Sequence, residues 1–163
     1  MNRLRAMLVL EDGTTYAGFS FSESGCISGE LVFNTAMTGY QEVLTDPSYA
    51  GQLVVFSCPH IGNVGVNAQD CESSGPKVQG VVVKEMASCT SSFRAEGSLV
   101  DYLAQHQVPW IEGIDTRKLI RKIRSSGSIK GTIVIGEKSL KDAILSSKAL
   151  SLSSLSSYQS QCV

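Results

Sequence analysis

Residues 53–57 read LVVFS and residues 78–84 read VQGVVVK; in the valine-rich runs 53–57 and 81–83 apolar and polar side chains do not alternate. A strand with one wet face alternates; a strand without alternation has both faces covered. Both faces of these runs are therefore expected to be covered, and strands followed by β-α-β-α-β units imply a layered α/β domain with some parallel pairing. Outward from them, residues 6–11 (AMLVLE) and 15–21 (TYAGFSF) flank Asp12-Gly13, which predicts a hairpin closed by a type I′ turn. Residues 30–35 (ELVFNT), 108–111 (VPWI) and 129–135 (IKGTIVI) read as further strands. Helix signals fill the second half. Ser98 with Asp101 opens a helix whose one face carries Leu99, Tyr102, Leu103 and His106. Asp115 opens another with Leu119, Ile120 and Ile123 as its apolar stripe and Gly127 as its stop. Ser139 with Asp142 predicts a short third helix.

The chain has 163 residues, enough for one domain, which we expect over residues 1–145. Its 42% hydrophobic and 18% charged residues are those of a folded protein, not a disordered one. Fourteen basic against fifteen acidic side chains leave a net charge of −1, which argues against a general grip on nucleic acid or anionic lipid. The longest unbroken apolar stretch, residues 6–10, is too short for a membrane helix or a signal-peptide core. A cytoplasmic protein with no nucleic-acid or membrane partner is expected. Five scattered cysteines without a close pair, and only two histidines, argue for free thiols and against a zinc site. From Ser146 the chain reads SSKALSLSSLSSYQSQCV, expected to be a Ser-rich tail or truncated linker.

Three stretches could carry chemistry. Residues 38–51 (TGYQEVLTDPSYAG) contain the turn signature Thr45-Asp46-Pro47-Ser48, which reads as a helix cap or turn, or as a rigid loop presenting the Ser48 hydroxyl to a ligand. Cys58 and His60 invite a thiol–imidazole reading with Asp70 or Glu72 as orienter. Pro59 between them and their closeness in sequence argue against it. Gly62, Asn63 and Gly65 form a flexible loop, weak evidence for phosphate binding without a following helix. Arg117, Lys118, Arg121, Lys122 and Arg124 make a basic helix, either a solvated face or a docking surface for an acidic partner.

Taken together, the segments LVLEDGTTYAGFSF (8–21), GELVFNTAMTGYQEVLTDPSYAGQLVV (29–55), PHIGNVGVN (59–67), QGVVVKE (79–85), SSFR (91–94) and GIDTRKLIRKIRSSGSIKGTI (113–133) resemble one family in its order. It is that of the small, glutamine-hydrolysing subunit of carbamoyl-phosphate synthase, and the resemblance is to its N-terminal domain. The resemblance implies a swivelling β/β/α three-layer domain. It implies two partners: a class I glutamine amidotransferase domain and the large synthetase subunit. The first releases ammonia from glutamine with a Cys-His-Glu triad; the second makes carbamoyl phosphate from that ammonia, bicarbonate and ATP, for arginine or pyrimidine synthesis. The serine of the TDPSY motif, here Ser48, is implied to hydrogen-bond the glutamine substrate.

No other site residue is carried over. This chain is expected to hold no catalytic residue, metal ligand or cofactor of its own; ATP and divalent metal are expected only in the large subunit. Cys58 stands where the family typically has an aromatic residue. Nothing after residue 136 resembles the amidotransferase domain's nucleophile elbow, so the chain alone is expected to lack the triad of the ligase to which it would contribute. A stand-alone, non-catalytic module that binds the large subunit is the alternative expectation.

Overall fold

The computed structural model describes residues 3–87, 90–92 and 95–136. The expected third helix and the Ser-rich segment lie outside them. Among the described residues, nine strands and three helices form in chain order: β1 (Leu4–Leu10), β2 (Thr15–Ser20), β3 (Gly25–Asn34), α1 (Tyr40–Thr45), β4 (Gln52–Phe56), β5 (His60–Ile61), β6 (Gly80–Val82), β7 (Glu85–Met86), α2 (Leu99–Gln105), β8 (Trp110–Ile111), α3 (Thr116–Ser126) and β9 (Lys130–Ile135). A 3-10 turn, Pro47–Tyr49, follows α1. Seven strands form one mixed sheet in the order β2-β1-β9-β3-β4-β6-β8, and β5 pairs with β7 apart from it. The expected α/β class is met.

β3 turns the corner between two kinds of pairing. Its first half, Gly25 to Glu30, runs antiparallel to β9, and its second half, Glu30 to Asn34, runs parallel to β4. The sheet also meets itself at its far edges. Phe19 of β2 and Glu112 after β8 exchange two backbone hydrogen bonds, of 2.9 and 2.8 Å. Neither outer strand is thus left wholly open to pair with another chain. Gly18 permits the approach, because a Cβ there would collide with the carbonyl oxygen of Glu112.

Two cores result. Leu8 and Leu10 (β1), Leu31 (β3), Leu53 and Val55 (β4), Val82 (β6), Ile111 (β8) and Ile133 (β9) share one cluster with Leu119, Ile120 and Ile123 of α3. The opposite faces of the parallel strands, with Val54, Phe56, Val81 and Trp110, pack against Tyr40 and Leu44 of α1 and Leu99 and Leu103 of α2. Alternate residues of β4 serve opposite cores, which is why its sequence shows no alternation. Each fully buried aliphatic side chain contributes roughly 1.5–3 kcal/mol.

The two helix signals that fall within the described residues hold. Ser98 Oγ accepts from the Asp101 N–H at 3.1 Å and donates to the Asp101 carboxylate at 2.7 Å. Asp115 Oδ1 accepts from the Lys118 N–H at 3.0 Å. The expected type I′ turn does not form. Leu10 accepts from Gly13 N–H and donates to the Thr14 carbonyl around a three-residue loop. Only Gly13 there takes positive φ, at 82°. The Asp12 carboxylate accepts from the Thr14 N–H at 2.9 Å, so Asp12 holds the ordinary turn and Gly13 forms the bulge.

Candidate functional site

Ser48 sits on the 3-10 turn and is exposed. Pro47 presets φ for the first position of that turn, and Asp46 caps it by accepting from the Ser48 N–H at 2.8 Å. That bond, first among its causes, holds the Asp46 carboxyl below the usual carboxylate range. On the other side, Asn34 Nδ2 at the end of β3 donates to the Tyr49 hydroxyl at 3.4 Å. The Ser48 backbone is thus held by Asp46, while the side chain of the next residue, Tyr49, reaches the end of β3.

The residues just before this turn act on the core side. Segment 38–51 is largely helix: Tyr40, Gln41, Leu44 and Thr45 of α1 are all buried. Three of them fasten the loop after β5. The Tyr40 hydroxyl donates to the Gly65 carbonyl at 2.6 Å. Gln41 grips the Asn67 backbone twice, donating to its carbonyl at 2.5 Å and accepting from its N–H at 3.0 Å. Thr45 Oγ1 accepts from the Glu72 N–H at 2.9 Å, and the Thr45 carbonyl accepts from the Ser73 hydroxyl at 2.6 Å. Burial pushes the Tyr40 phenol up to about 12. Reading the segment as punctuation alone misses this clamp. Its signal was present: polar Gln41 and Thr45 stand four apart, beside Tyr40 and Leu44, on one helical face.

Two clefts flank the clamp. One, of about 330 Å³, is lined by Thr38, Gly39, Glu42, Val64, Asn67 and Asp70, among others. The second, of about 270 Å³, includes Cys71, Glu96, Ser98, Asp101 and Tyr102. Gln41 and Asn67 line both, and Ser48 lines neither. The described lining residues include the carboxylates of Glu42 and Asp70 in the first and of Glu96 and Asp101 in the second. In the second, the Cys71 thiol lies 3.8 Å from the Tyr102 hydroxyl. Burial first, then that thiol, pushes the Tyr102 phenol up to about 12. Gly65, read as part of a flexible loop, lends its carbonyl to the clamp.

Cys58 and His60 form no thiol–imidazole contact here. The Cys58 thiol donates to the backbone carbonyl of His60 at 3.4 Å, while the imidazole Nδ1 faces the Glu85 carboxylate at 3.4 Å. Asp70 accepts from Asn67 Nδ2, and Glu72 is held through its N–H by Thr45; neither is the group facing His60. Cys58 and Cys71 are free thiols, whereas Cys26, against expectation, is disulfide-bonded. Among the described residues no three His, Cys, Asp or Glu side chains gather to hold a metal, and no helix is long and apolar enough to cross a membrane.

The outer face of α3 carries Arg117, Lys118, Arg121 and Arg124, all exposed. Lys122, at the side of that face, pairs with Asp12 at 2.5 Å, and the Arg124 guanidinium lies 5.0 Å from the centre of the Phe33 ring. Charges of one sign at three- and four-residue spacing repel, typically by 0.2–0.5 kcal/mol a pair.

Comparison with known proteins bears on these features together. Residues 8–133 match the family model "Carbamoyl-phosphate synthase small chain, CPSase domain". Curated relatives named carbamoyl phosphate synthase small chain include one from Nostoc sp., 56% identical over 128 residues, which covers 78% of this chain and 33% of the relative. Relatives from Polynucleobacter necessarius (52% identical; 90% of this chain, 37% of the relative) and Aquifex aeolicus (51%; 91% and 40%) bear the same name. A solved aminopeptidase from Aneurinibacillus sp. strain AM-1 is similar only at a TM-score of 0.46 and 14% identity, over 82% of this chain and 30% of that one, too distant a likeness to bear on function. The chain spans between a third and two fifths of the length of those three small-chain relatives. The clamp of α1 on its loop, the capped TDPSY turn and the basic α3 all fall inside the matched residues, and the chain belongs to the carbamoyl-phosphate synthase small chain family.

Proposed function

We propose that this chain serves as the N-terminal domain of the small subunit of a glutamine-hydrolysing carbamoyl-phosphate synthase, working in the cytoplasm. Its fold is that family's swivelling β/β/α domain, and the two cores on opposite faces of the parallel strands support that reading. It docks the large subunit, which holds ATP and divalent metal, and it completes the glutamine site of a class I amidotransferase domain. The observation that carries the reading is Ser48: an exposed hydroxyl on a turn held by Asp46 and Tyr49, within a family-matched motif. That hydroxyl also bonds the Asp46 carboxylate, which leaves its lone pairs to accept from the N–H groups of a glutamine held by a neighbouring domain.

The test joins this chain to the remaining part of the Nostoc sp. small chain and follows glutamine hydrolysis. Ser48→Ala should raise KM for glutamine about tenfold, the equivalent of one hydrogen bond of ~1–1.5 kcal/mol, with Tm unchanged. An unchanged KM with a lowered Tm would assign Ser48 to the turn's structure alone.

A further inference from the structure

We propose that the exposed basic face of α3, centred on Arg117, Lys118 and Arg121, docks an acidic surface of the synthetase large subunit; this rests on the large-subunit docking inferred above. At about 100° per residue, Arg117, Arg121 and Arg124 fall within an arc of roughly 60°, with Lys118 beside them. The stripe of Leu119, Ile120 and Ile123 is buried on the opposite side. Five of the chain's fourteen basic residues lie between positions 117 and 124, although the whole chain carries −1. The charge is therefore a local feature, not a general one.

The domain itself leaves that charge unanswered. Among the described residues, ion pairs engage Arg3 and Lys122, and none engages Arg117, Lys118 or Arg121. Arg117 and Lys118 also occupy the first turn of α3, where the helix macrodipole is positive and acidic side chains are favoured. The turn has no acidic residue, and the Asp115 carboxylate at the cap is engaged by the Lys118 N–H. Arg117 repels Arg121, and Lys118 repels Lys122, at four-residue spacing. The stability of the free domain alone would favour the reverse charges at these places. A complementary negative surface on a partner resolves both conflicts at once. A protein surface fits better than nucleic acid, since the face carries no aromatic or amide side chain to read bases and the rest of the chain is net negative.

The two roles predict opposite signs. In Arg117→Glu/Lys118→Glu/Arg121→Glu, the free chain should melt at the same temperature or higher, because the first turn now suits the dipole. Binding to the large subunit of the Nostoc sp. enzyme, measured by biosensor, should weaken at least about tenfold at about 50 mM salt. The wild-type chain should lose affinity on going to about 300 mM salt more steeply than the variant. Arg5→Glu/Lys84→Glu, which reverses two exposed charges elsewhere, should stay within about twofold. If the wild-type chain binds and the triple variant binds within about twofold of it, the assignment to α3 is wrong while the docking reading stands. If the wild-type chain does not bind, the docking reading itself fails and the assignment with it. Single-stranded RNA bound by the wild type and lost in the variant, with large-subunit binding unaffected, would overturn the proposal in favour of nucleic acid. Should the triple variant melt lower, Arg117→Gln/Arg121→Gln at unchanged Tm must weaken binding at least about threefold, and a smaller effect overturns the proposal.

Discussion

Tyr40 and Gly65 join the first helix to the loop after β5 through a buried hydrogen bond of 2.6 Å from phenol to carbonyl. Gly65 is suited to its end of the contact, with φ at 71° and its Cα so placed that a Cβ would lie 2.6 Å from the Cβ of Ala95. Tyr40→Phe keeps the ring but leaves that carbonyl without its donor. The expected cost is about 1–3 kcal/mol of unfolding free energy, read from urea denaturation. A cost near zero would mean that water takes over the bond.

The same phenol makes stability depend on alkaline pH. Burial raises Tyr40 from its ordinary 10.0 to about 12, so the unfolded chain gives up this proton first. Its contribution is whole below pH 10 and is lost as pH rises towards about 12. Tyr102, also at about 12, acts in the same window and direction. Urea midpoints followed from pH 9 to about 11.5 should fall for the wild type and fall less for Tyr40→Phe. Parallel curves would show that Tyr40 titrates alike in both states.

Closure of the sheet on itself depends on Gly18. In Gly18→Ala the added methyl meets the carbonyl oxygen of Glu112, a backbone atom that cannot swing aside. A loss of roughly 2–3 kcal/mol is expected, with faster amide exchange at Phe19 and Glu112, whose N–H groups bond across the junction. Unchanged exchange at those two amides would show that the strands meet without needing the glycine.

The cap of α2 offers a smaller effect in a separate place. Ser98→Ala removes the acceptor for the Asp101 N–H and should cost about 1 kcal/mol. Ser98→Asp keeps an acceptor and should restore most of it. Equal Tm values for all three would leave the cap without energetic weight.

Local signals were legible where one residue type has one local use. Ser98 and Asp115 at helix starts and Gly127 at a helix end need only their neighbours to act, and all three do so. The Asp12-Gly13 turn was legible as a hairpin but not by type, because the Asp12 side chain bonds the Thr14 N–H and holds the other turn. Segment 38–51 was legible in part. Its Asp46-Pro47 turn formed as read, but six residues before it formed a short helix. That helix is too short to stand on propensity and is held by its clamp to residues up to 28 positions away.

By itself, the sequence determined the α/β class, the caps, the two-sided burial of the valine-rich strands and the family motifs around Ser48. The class, the caps and the burial follow from periodicity and from contacts between near neighbours; the motifs around Ser48 were legible only as a family resemblance. Only the tertiary structure decided that β3 changes partners halfway, that Phe19 and Glu112 close the sheet, and that Tyr40, Gln41 and Thr45 face inward to grip a loop instead of outward to a ligand. The reason is physical. A buried hydroxyl or amide must find a partner, and which backbone group comes within reach is set by how distant strands pack, which no local pattern records.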